Sequence, residues 1–282
     1  MKLLRVGQKG REKPAIIDGD GRLRDLSAIV EDIGEAALTR SSLRMLAGVD
    51  ITSLPLLDEG LRIGPCVGKV GKFVCVGLNY HDGVAEVGAE IPEEPILFMK
   101  ATSAINGPND PVVIPRGSLK MDWEVELGVI IGDEARYVSP QDAMSHVAGY
   151  CVVNDLGDRA FQIERGGQWT KGKSADTFGP IGPWLVTADE VPDPQSLGMW
   201  LSVDGVMRQQ GSSRSMIFPV ATLVYYVSQF MSLQPGDIIS TGTPAGVGMG
   251  IKPEPVYLGP GQTMRLGIEG LGEQRQVTEQ AA

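Results

Sequence analysis

The sequence lacks the features that mark several large classes of protein. Its 282 residues contain three cysteines, an odd number without C-x-x-C spacing. Cys75 and Cys151 lie inside apolar runs, where a thiol behaves as a small buried hydrophobic group. We therefore expect no disulfide framework, and three reduced cysteines, Cys66 included, are typical of a cytoplasmic protein.

Long apolar runs and basic blocks are also missing. No stretch approaches the ~18 uninterrupted apolar residues of a membrane-spanning helix, and the first residues do not have the pattern of a signal peptide. The formal net charge is −10, from 25 Lys and Arg against 35 Asp and Glu. This acidic balance makes nucleic acid and anionic membrane surfaces poor partners, so we predict neither.

What is present has the composition of an ordinary globular protein, with 42% hydrophobic and 21% charged residues. The length is sufficient for a small domain joined to a larger one. Residues 1–69 predict a small β-rich N-terminal domain that begins with a hairpin and includes short helices near 29–38 and after residue 41. Residues 70–282 would form the second domain.

Two carboxylates are set into the apolar run of residues 123–131. Glu124 and Glu126 are two residues apart, so on a strand they share one face, roughly 7 Å apart. A second apolar run ends in Asp155, which joins the pair if the two strands are neighbours. Three hard oxygen ligands with open positions suit Mg²⁺ or Mn²⁺. The alternative is a half-solvated strand whose acids face water.

The stretches around the acid pair predict elements that would surround a site. Residues 73–80 form a buried strand broken by Gly77, and residues 81–94 form a short helix or a mobile loop that could cover the site. Residues 95–100 form another strand, which ends in Lys100. That lysine either reaches solvent or points into a pocket.

Three further signals come from the C-terminal half. The dipeptide Asp204-Gly205 predicts a hairpin. Residues 219–231 predict a helix with an apolar face that includes Phe230. Residues 242–248 form a loop after a predicted strand, and its amides and hydroxyls either cradle a carboxylate or make a plain glycine-rich turn.

One motif invites a nucleotide-binding interpretation that its context rejects. Residues 167–174 satisfy the expression G-x-x-x-x-G-K-[ST] of a P-loop. A P-loop needs a buried strand before it and a helix after it, so that amides and helix dipole meet the phosphates. Here a polar stretch, residues 162–166, precedes the motif, and residues 175–180 cannot continue as a helix. We therefore predict no nucleotide site.

Taken together, these stretches resemble the fumarylacetoacetate hydrolase superfamily, from Phe73 to about Gly270. The resemblance implies a mixed α/β, mostly β fold, with a β-roll catalytic domain behind the small N-terminal domain, and a homodimer. The matching stretches are residues 76–80, 95–100, 124–129, 149–155, 159–162, 169–173, 216–218 and 237–248.

The resemblance also implies roles for individual residues. A divalent metal, Mg²⁺ or Mn²⁺, is assigned to Glu124, Glu126 and Asp155, in agreement with the pattern of acids described above. Catalytic roles are assigned to Glu86, Lys173, Gln162 and His81. Substrate binding is assigned to Thr243, Arg159, Lys100 and Gly242.

One departure from the family pattern concerns the pair of residues that activates water. Family members commonly carry Asn-Tyr-x-x-His-x-x-Glu after the first strand of the catalytic domain. Here Glu86 matches the acid, but Gly83 stands where the histidine should be. His81 is two residues early, a rotation of about 200° on a helix, so it substitutes only if the loop is irregular. The other histidine, His146, matches no catalytic position.

Superfamily substrates are typically 2-oxo or 2,4-dioxo acids. We predict a metal-dependent hydrolase that cleaves a C–C bond in a small 2,4-dioxo acid of the acylpyruvate type, giving pyruvate or a similar 2-oxo acid, with Glu86 as base. Isomerisation or decarboxylation needs only a stabilised enolate, so the missing histidine keeps both open. A third alternative is a catalytically weak homologue that binds the metal and an oxo acid.

Overall fold

The computed structural model describes all 282 residues, which form seventeen strands and five helices. The strands are β1 (Lys2–Val6), β2 (Lys13–Ile17), β3 (Leu23–Asp25), β4 (Phe73–Gly77), β5 (Ile96–Lys100), β6 (Ile105–Asn106), β7 (Val112–Ile114), β8 (Met121–Asp122), β9 (Val125–Ile131), β10 (Val147–Asn154), β11 (Gly157–Asp158), β12 (Gly179–Thr187), β13 (Gly198–Val203), β14 (Val206–Ser212), β15 (Ile238–Ser240), β16 (Thr263–Ile268) and β17 (Gly272–Gln280). The helices are α1 (Glu35–Leu38), α2 (Arg40–Ala47), α3 (His81–Val87), α4 (Trp169–Lys173) and α5 (Val220–Ser228).

The strands form three sheets. The largest has the order β3-β2-β1-β12-β10-β9-β15-β4-β5, with β6 beside β12. The second has the order β14-β13-β16-β17-β7, and β8 pairs with β11. Most neighbours are antiparallel, and β15 with β4, β12 with β6 and β17 with β7 are parallel. The predicted mixed, mostly β fold is confirmed.

The central strands β9 and β10 are buried along their whole length. Side chains of β9 alternate between two cores: Val125, Leu127 and Val129 pack in the larger one, and Ile130 packs in the smaller one on the opposite face. A strand covered on both faces reads as a continuous apolar run. Glu126 lies on the same face of β9 as Ile130, and its side chain is buried like the rest of that face.

The N-terminal strands continue the large sheet, because β1 is hydrogen-bonded to β12. Leu3 and Ile16 pack in the same core as Cys75 and Cys151. The domain boundary at residue 69 stays a prediction, which expression of residues 70–282 alone would test. None of the helices combines the length and apolar character needed to cross a bilayer.

The predicted N-terminal helix over residues 29–38 is wrong for its first half. The carbonyl of Ile33 accepts a hydrogen bond from the backbone N–H of Gly68, and Gly34 is extended with φ −144° and ψ −161°. The helix α1 therefore begins only at Glu35. The helix expected after residue 41 is present as α2.

Two local predictions of the C-terminal half have different outcomes. The hairpin is confirmed: Asp204 and Gly205 join β13 to β14 with φ of 50° and 79°, as a two-residue turn of the mirror-image type requires. The helix at 219–231 is shorter than predicted and ends at Ser228. Phe230 therefore leaves the apolar face and is 64% exposed.

The cysteine prediction is confirmed. Cys66, Cys75 and Cys151 are all free and buried. Burial raises the pKa of the Cys66 and Cys75 thiols well above the usual range, so both are held as inert thiols rather than reactive thiolates.

Candidate metal centre and active site

Four strands bring their ends to one edge of the large sheet. The parallel strands β4 and β15 both end there, the antiparallel strand β9 begins there, and β10 ends there. The backbone N–H of Asp155 donates to the carbonyl of Glu124 at 2.9 Å, and Val153 stands opposite Glu126. The predicted adjacency of the two acid-bearing segments is therefore confirmed.

Glu124, Glu126 and Asp155 form a cluster of carboxylates at this edge. One oxygen from each lies within 4.8 Å of the others, and the residues are 7%, 2% and 0% exposed. The alternative in which the acids face water is excluded by that burial. Burial together with the two neighbouring carboxylates raises the pKa of Glu126 well above its usual range, so the cluster is short of positive charge.

The oxygens of the cluster fit a hard cation. Ser240 and the N–H of Gly242 both donate to Oε2 of Glu126, at 2.6 and 2.9 Å, and Oε1 accepts no hydrogen bond. Both carboxylate oxygens of Asp155 are buried, and each faces one ammonium: Oδ1 faces that of Lys100, and Oδ2 faces that of Lys173 at 3.0 Å. Carboxylate oxygens with free lone pairs are the ligands that Mg²⁺ and Mn²⁺ prefer.

Two cations balance Glu124. Nζ of Lys173 lies 2.6 Å from its Oε2, and Nη2 of Arg159 lies 2.6 Å from its Oε1. Burial opposes ionisation, but these cations outweigh it and lower the pKa of Glu124. Burial likewise opposes the charge of Lys173, and Asp155 and Glu124 outweigh it and raise the pKa of that ammonium. Lys173 is therefore a fixed positive charge at neutral pH.

Lys100 lies outside the cavity, which corrects its predicted substrate contact. The residue is 1% exposed, and its ammonium pairs with Asp155. It also donates to the carbonyls of Leu156 and Lys173, at 2.9 and 2.5 Å. Lys100 therefore contacts Asp155 on the side away from the cavity. Its side chain points neither to solvent nor into the pocket, so both predicted directions are wrong.

A cavity of about 120 Å³ opens beside the cluster. It brings together eight of the eleven predicted site residues: Glu86, Glu124, Glu126, Arg159, Gln162, Lys173, Gly242 and Thr243. Asp155 and Lys100 lie behind this surface. His81, at the start of α3, is exposed and does not line the cavity.

Much of the remaining lining is hydrophobic. The ring of Trp169 packs edge-on against Phe98, with centroids 5.4 Å apart. Gly77 makes this possible, because a Cβ there would come within 2.2 Å of the Trp169 ring. We call the following six lining residues the apolar wall: Val84, Val87, Phe98, Trp169, Val247 and Met249.

Gln162 and Thr243 offer polar groups to the cavity. Gln162 lies on a wide helical turn, Ala160–Glu164; its Oε1 accepts from Arg159 at 3.2 Å, and its amide nitrogen has no acceptor in the protein. The hydroxyl of Thr243 already donates to the carbonyl of Val125 at 2.8 Å. The donor that Thr243 can offer a ligand is its backbone N–H, which makes no hydrogen bond within the protein.

The loop after β15 cradles carboxylates, but they are the protein's own. The N–H of Gly242 donates to Glu126, and that of Gly246 donates to Glu86 at 2.9 Å. The N–H of Gly248 donates to Asp122 at 2.6 Å. This loop therefore fixes the position of the predicted base, Glu86, relative to that of a metal-ligand candidate, Glu126.

Two buried residues of the site escaped the sequence analysis. Asp122 accepts from Arg159 at 2.8 Å as well as from the 242–248 loop. Gln209 accepts from the N–H of Val125 at 2.9 Å and donates to the hydroxyl of Thr243 at 2.8 Å. For Asp122 a signal existed, because it stands two residues before Glu124 in the same period. Gln209 lies on a distant strand, and no local pattern marks it.

The face of α3 toward the cavity carries Gly83 and Glu86. The φ of Gly83 is not in the left-handed region, and a Cβ there would lie 3.0 Å from the carbonyl oxygen of Thr243. No imidazole reaches this face, since His81 points to solvent and His146 lies in the turn Ala143–His146, away from the cavity lining.

The P-loop-like motif serves packing and charge instead of phosphate binding. No strand precedes α4, and α4 ends at Lys173. Gly172 allows close approach to the turn below it, because a Cβ would lie 2.5 Å from Cβ of Gln162. The lysine of the motif, Lys173, contacts Glu124 and Asp155 of the carboxylate cluster. The rejection of a nucleotide site on its context agrees with this geometry.

Comparison with known proteins gives consistent matches along the whole chain. The family described as "Fumarylacetoacetate (FAA) hydrolase C-terminal" matches residues 72–278. A Burkholderia multivorans protein named "Putative hydrolase" is 61% identical over 281 residues, which cover 100% of both chains.

Solved structures match the fold over its full length. A fumarylacetoacetate hydrolase from Exiguobacterium antarcticum is 35% identical with a TM-score of 0.86, and a maleylpyruvate hydrolase from Sphingobium sp. SYK-6, in complex with manganese(II) and pyruvate, is 29% identical with a TM-score of 0.82; both matches cover 100% of each chain. A 2-hydroxyhepta-2,4-diene-1,7-dioate isomerase from Mycobacterium marinum is 30% identical with a TM-score of 0.75, covering 100% of this chain and 99% of that one.

Proposed function

The chain belongs to the fumarylacetoacetate hydrolase family, and from this premise we propose that it is a divalent-metal-dependent hydrolase. Its substrate is a small 2,4-dioxo acid of the acylpyruvate type, which it cleaves at the C3–C4 bond. The products are pyruvate, or a similar 2-oxo acid, and a carboxylic acid.

The observation that carries this proposal is the buried cluster of Glu124, Glu126 and Asp155 beside the ammonium of Lys173. Three buried carboxylates that converge within 4.8 Å of one another at the end of a cavity fit Mg²⁺ or Mn²⁺. When bound, that metal supplies a Lewis acid for the 2-oxo oxygen. A similar protein solved with manganese(II) and pyruvate supports both the metal and the class of product.

The residues around the cavity have distinct roles in this proposal. Gln162 donates its free amide N–H to the oxygens of the 2-oxo acid end, and the backbone N–H of Thr243 binds its carboxylate. Lys173 is a fixed cation that stabilises the negative charge of an enolate as it develops. Arg159 orients Gln162 and Glu124 and does not itself bind substrate, since its three nitrogens already contact Asp122, Gln162 and Glu124.

Glu86 is the general base. It takes a proton from water as the oxygen adds to C4 of the substrate. The C3–C4 bond then breaks, its electron pair stays on C3 as the enolate of the 2-oxo acid, and C3 receives a proton from the Glu86 carboxylic acid. Water supplies all the atoms that the products gain, so no further reactant is required.

A second candidate function is isomerisation or decarboxylation of a 2-oxo or 2-hydroxydienoic acid. Gly83 favours it, because the face of α3 toward the cavity presents one carboxylate and no imidazole. Glu86 and Lys173 are sufficient to move a proton and stabilise an enolate. The likeness to a 2-hydroxyhepta-2,4-diene-1,7-dioate isomerase supports it as well.

One assay separates these candidates. Purified protein with Mg²⁺ or Mn²⁺ is incubated with 2,4-dioxopentanoate, with oxaloacetate and with 2-hydroxyhepta-2,4-diene-1,7-dioate, and pyruvate, carbon dioxide and the isomer are quantified. We expect pyruvate and acetate from the dioxo acid. Turnover of oxaloacetate or of the dienoate without hydrolysis of the dioxo acid would replace the first candidate by the second, and metal-dependent binding without any turnover would leave the weak homologue.

We also propose that the protein is a homodimer, as its family resemblance implies, and that it is cytoplasmic, as three reduced cysteines indicate. Light scattering on the purified chain measures the mass directly. A dimer has twice the 30.1 kDa mass of the chain, and a single species at 30.1 kDa would contradict the proposal.

A further inference from the structure

We infer that the far end of the substrate, beyond C4, is apolar and uncharged. Among 2,4-dioxo acids the enzyme would therefore select those with an alkyl or aryl acyl group over those that end in a second carboxylate. This inference rests on the proposed function and adds the substrate class. It separates the chain from similar proteins whose names, maleylpyruvate hydrolase and heptadiene-dioate isomerase, specify dicarboxylates.

The first argument is that every cation lining the cavity is already paired within the protein. Only Arg159 and Lys173 line it with positive charge. Arg159 is engaged by Asp122, Gln162 and Glu124. Lys173 contacts Glu124 at 2.6 Å and the carbonyl of Asp155 at 2.9 Å, beside the metal-ligand candidates. Neither cation is free to bind a second carboxylate at the far end.

The second argument is the chemistry of the apolar wall. Its six side chains carry one polar atom that could donate, the indole N–H of Trp169, and no charge. Tyr80, which also lines the cavity, directs its hydroxyl to the sulfur of Met199 at 3.2 Å. A distal carboxylate would lose water against this surface without gaining a charged partner, which strongly opposes its binding.

The third argument is the sign of the remaining charge. Glu86 lies on the α3 side of the cavity, and its one protein donor is the N–H of Gly246. A carboxylate at the far end of a substrate would approach this acid, and two like charges at short range repel one another. The two cations that line the cavity thus lie at the carboxylate cluster and are paired there, whereas the apolar wall and Glu86 offer no positive charge to the rest of the substrate.

A matched pair of substrates tests the inference. The acids 2,4-dioxoheptanoate and 2,4-dioxoheptanedioate have the same chain length and differ only in a terminal methyl or carboxylate. We expect kcat/KM to be about a hundredfold higher for the monoacid, from the cost of a poorly paired carboxylate. Equal values, or a preference for the diacid, would overturn the inference and leave the proposed hydrolysis intact.

A binding measurement keeps the inference testable if neither substrate is cleaved. Calorimetry on the Mg²⁺-loaded protein compares 2-oxoheptanoate with 2-oxoheptanedioate, which lack the 4-oxo group and cannot be hydrolysed. We expect tighter binding of the monoacid. Failure to cleave either dioxo acid would reject the proposed function, whereas equal binding of the two 2-oxo acids, or none, would reject the inference.

Ile163 offers a way to reverse the preference. It lines the cavity and is 49% exposed, so a longer polar side chain there does not need room in the core. Ile163→Lys places an ammonium at the rim, and Ile163→Gln is the neutral control. We expect the ratio of diacid to monoacid kcat/KM to rise at least tenfold in Ile163→Lys relative to Ile163→Gln. The same ratio in both variants would show that wall charge does not set specificity.

Discussion

The two ends of the cavity are built in opposite ways. At the carboxylate cluster every acid has at least one fixed partner: Glu124 has two cations, Glu126 has two hydrogen-bond donors, and Asp155 has two lysines. On the α3 side, Glu86 sits on a helix of seven residues and accepts from a single loop amide. His81, at the start of that helix, is exposed.

This difference indicates a division of labour. Charges that must act without reorganising are buried within or close to the ends of β9 and β10. Packing and ion pairs fix their positions there before any substrate arrives. The α3 side contributes the base and two residues of the apolar wall, Val84 and Val87, from a short helix. A short surface element tolerates changes in sequence better than a central strand. Gly83 lies in that tolerant element, and the cluster lies in the fixed one.

The largest effect is expected when the fixed end is broken. Glu126→Ala removes one of three metal-ligand candidates and leaves an incomplete set of oxygens. We expect loss of bound metal, measured by elemental analysis, and loss of essentially all activity, with the fold retained by circular dichroism. Glu90→Ala changes an exposed acid near α3 and is the control, with activity unchanged. Full turnover in excess chelator would contradict this prediction.

Lys173→Met sharpens the comparison by removing the cation and keeping the carboxylates. We expect kcat to fall by about two to three powers of ten, as for loss of one oxyanion donor. Lys171→Met is a matched control two residues away, because that lysine is exposed and bonds only to a surface carbonyl, that of Arg165. An unchanged kcat with a raised KM would make Lys173 a ground-state binding residue.

Glu86→Gln tests the α3 side. If Glu86 is the base, its amide variant should lower hydrolysis by about a hundredfold, because an amide cannot accept the proton of the attacking water. His81→Ala should change kcat/KM less than twofold, because His81 does not line the cavity. A strong loss in His81→Ala would mean that α3 rearranges when substrate binds and that the two sides are less distinct than their resting geometry shows.

The same contrast explains what the sequence could predict. The spacing of Glu124 and Glu126 repeats the period of a strand, so local pattern predicted this pair, and Asp155 was expected to join it if the two strands were neighbours, as they are. The local pattern also predicted that Lys100 ends a strand. The direction of its side chain, however, depends on where Asp155 lies in space. A carboxylate 55 positions away decides its role, and no local rule contains that information.

Longer-range contacts account for the other misses. Gln209 reaches Thr243 across 34 positions of the chain, and the helix predicted from residue 29 is shortened by a backbone hydrogen bond between Ile33 and Gly68. In both cases partners distant in sequence outweigh local preference. The family pattern supplied Glu86 and Gly83, which periodicity alone would not have distinguished from any polar helix.

A smaller effect than that of Glu86→Gln is expected from Gly83→His, which restores the family pattern on α3. Glycine is not required here by a positive φ, but a Cβ would lie 3.0 Å from the carbonyl of Thr243. The loop must therefore give by a few tenths of an ångström, so Thr243 and the base are displaced slightly while a second base is added. These changes oppose one another, and we expect hydrolysis of 2,4-dioxopentanoate to change by less than about tenfold.

A larger gain would have a specific meaning. If the parent barely hydrolyses the dioxo acid and Gly83→His hydrolyses it well, then the natural enzyme lacks a water-activating group and the isomerase or decarboxylase candidate is correct. Gly83→Ala separates the two contributions, since it applies the same pressure on Thr243 without an imidazole. A gain in Gly83→His that Gly83→Ala does not share must come from the imidazole, and the α3 side would then decide which reaction the fixed carboxylate cluster serves.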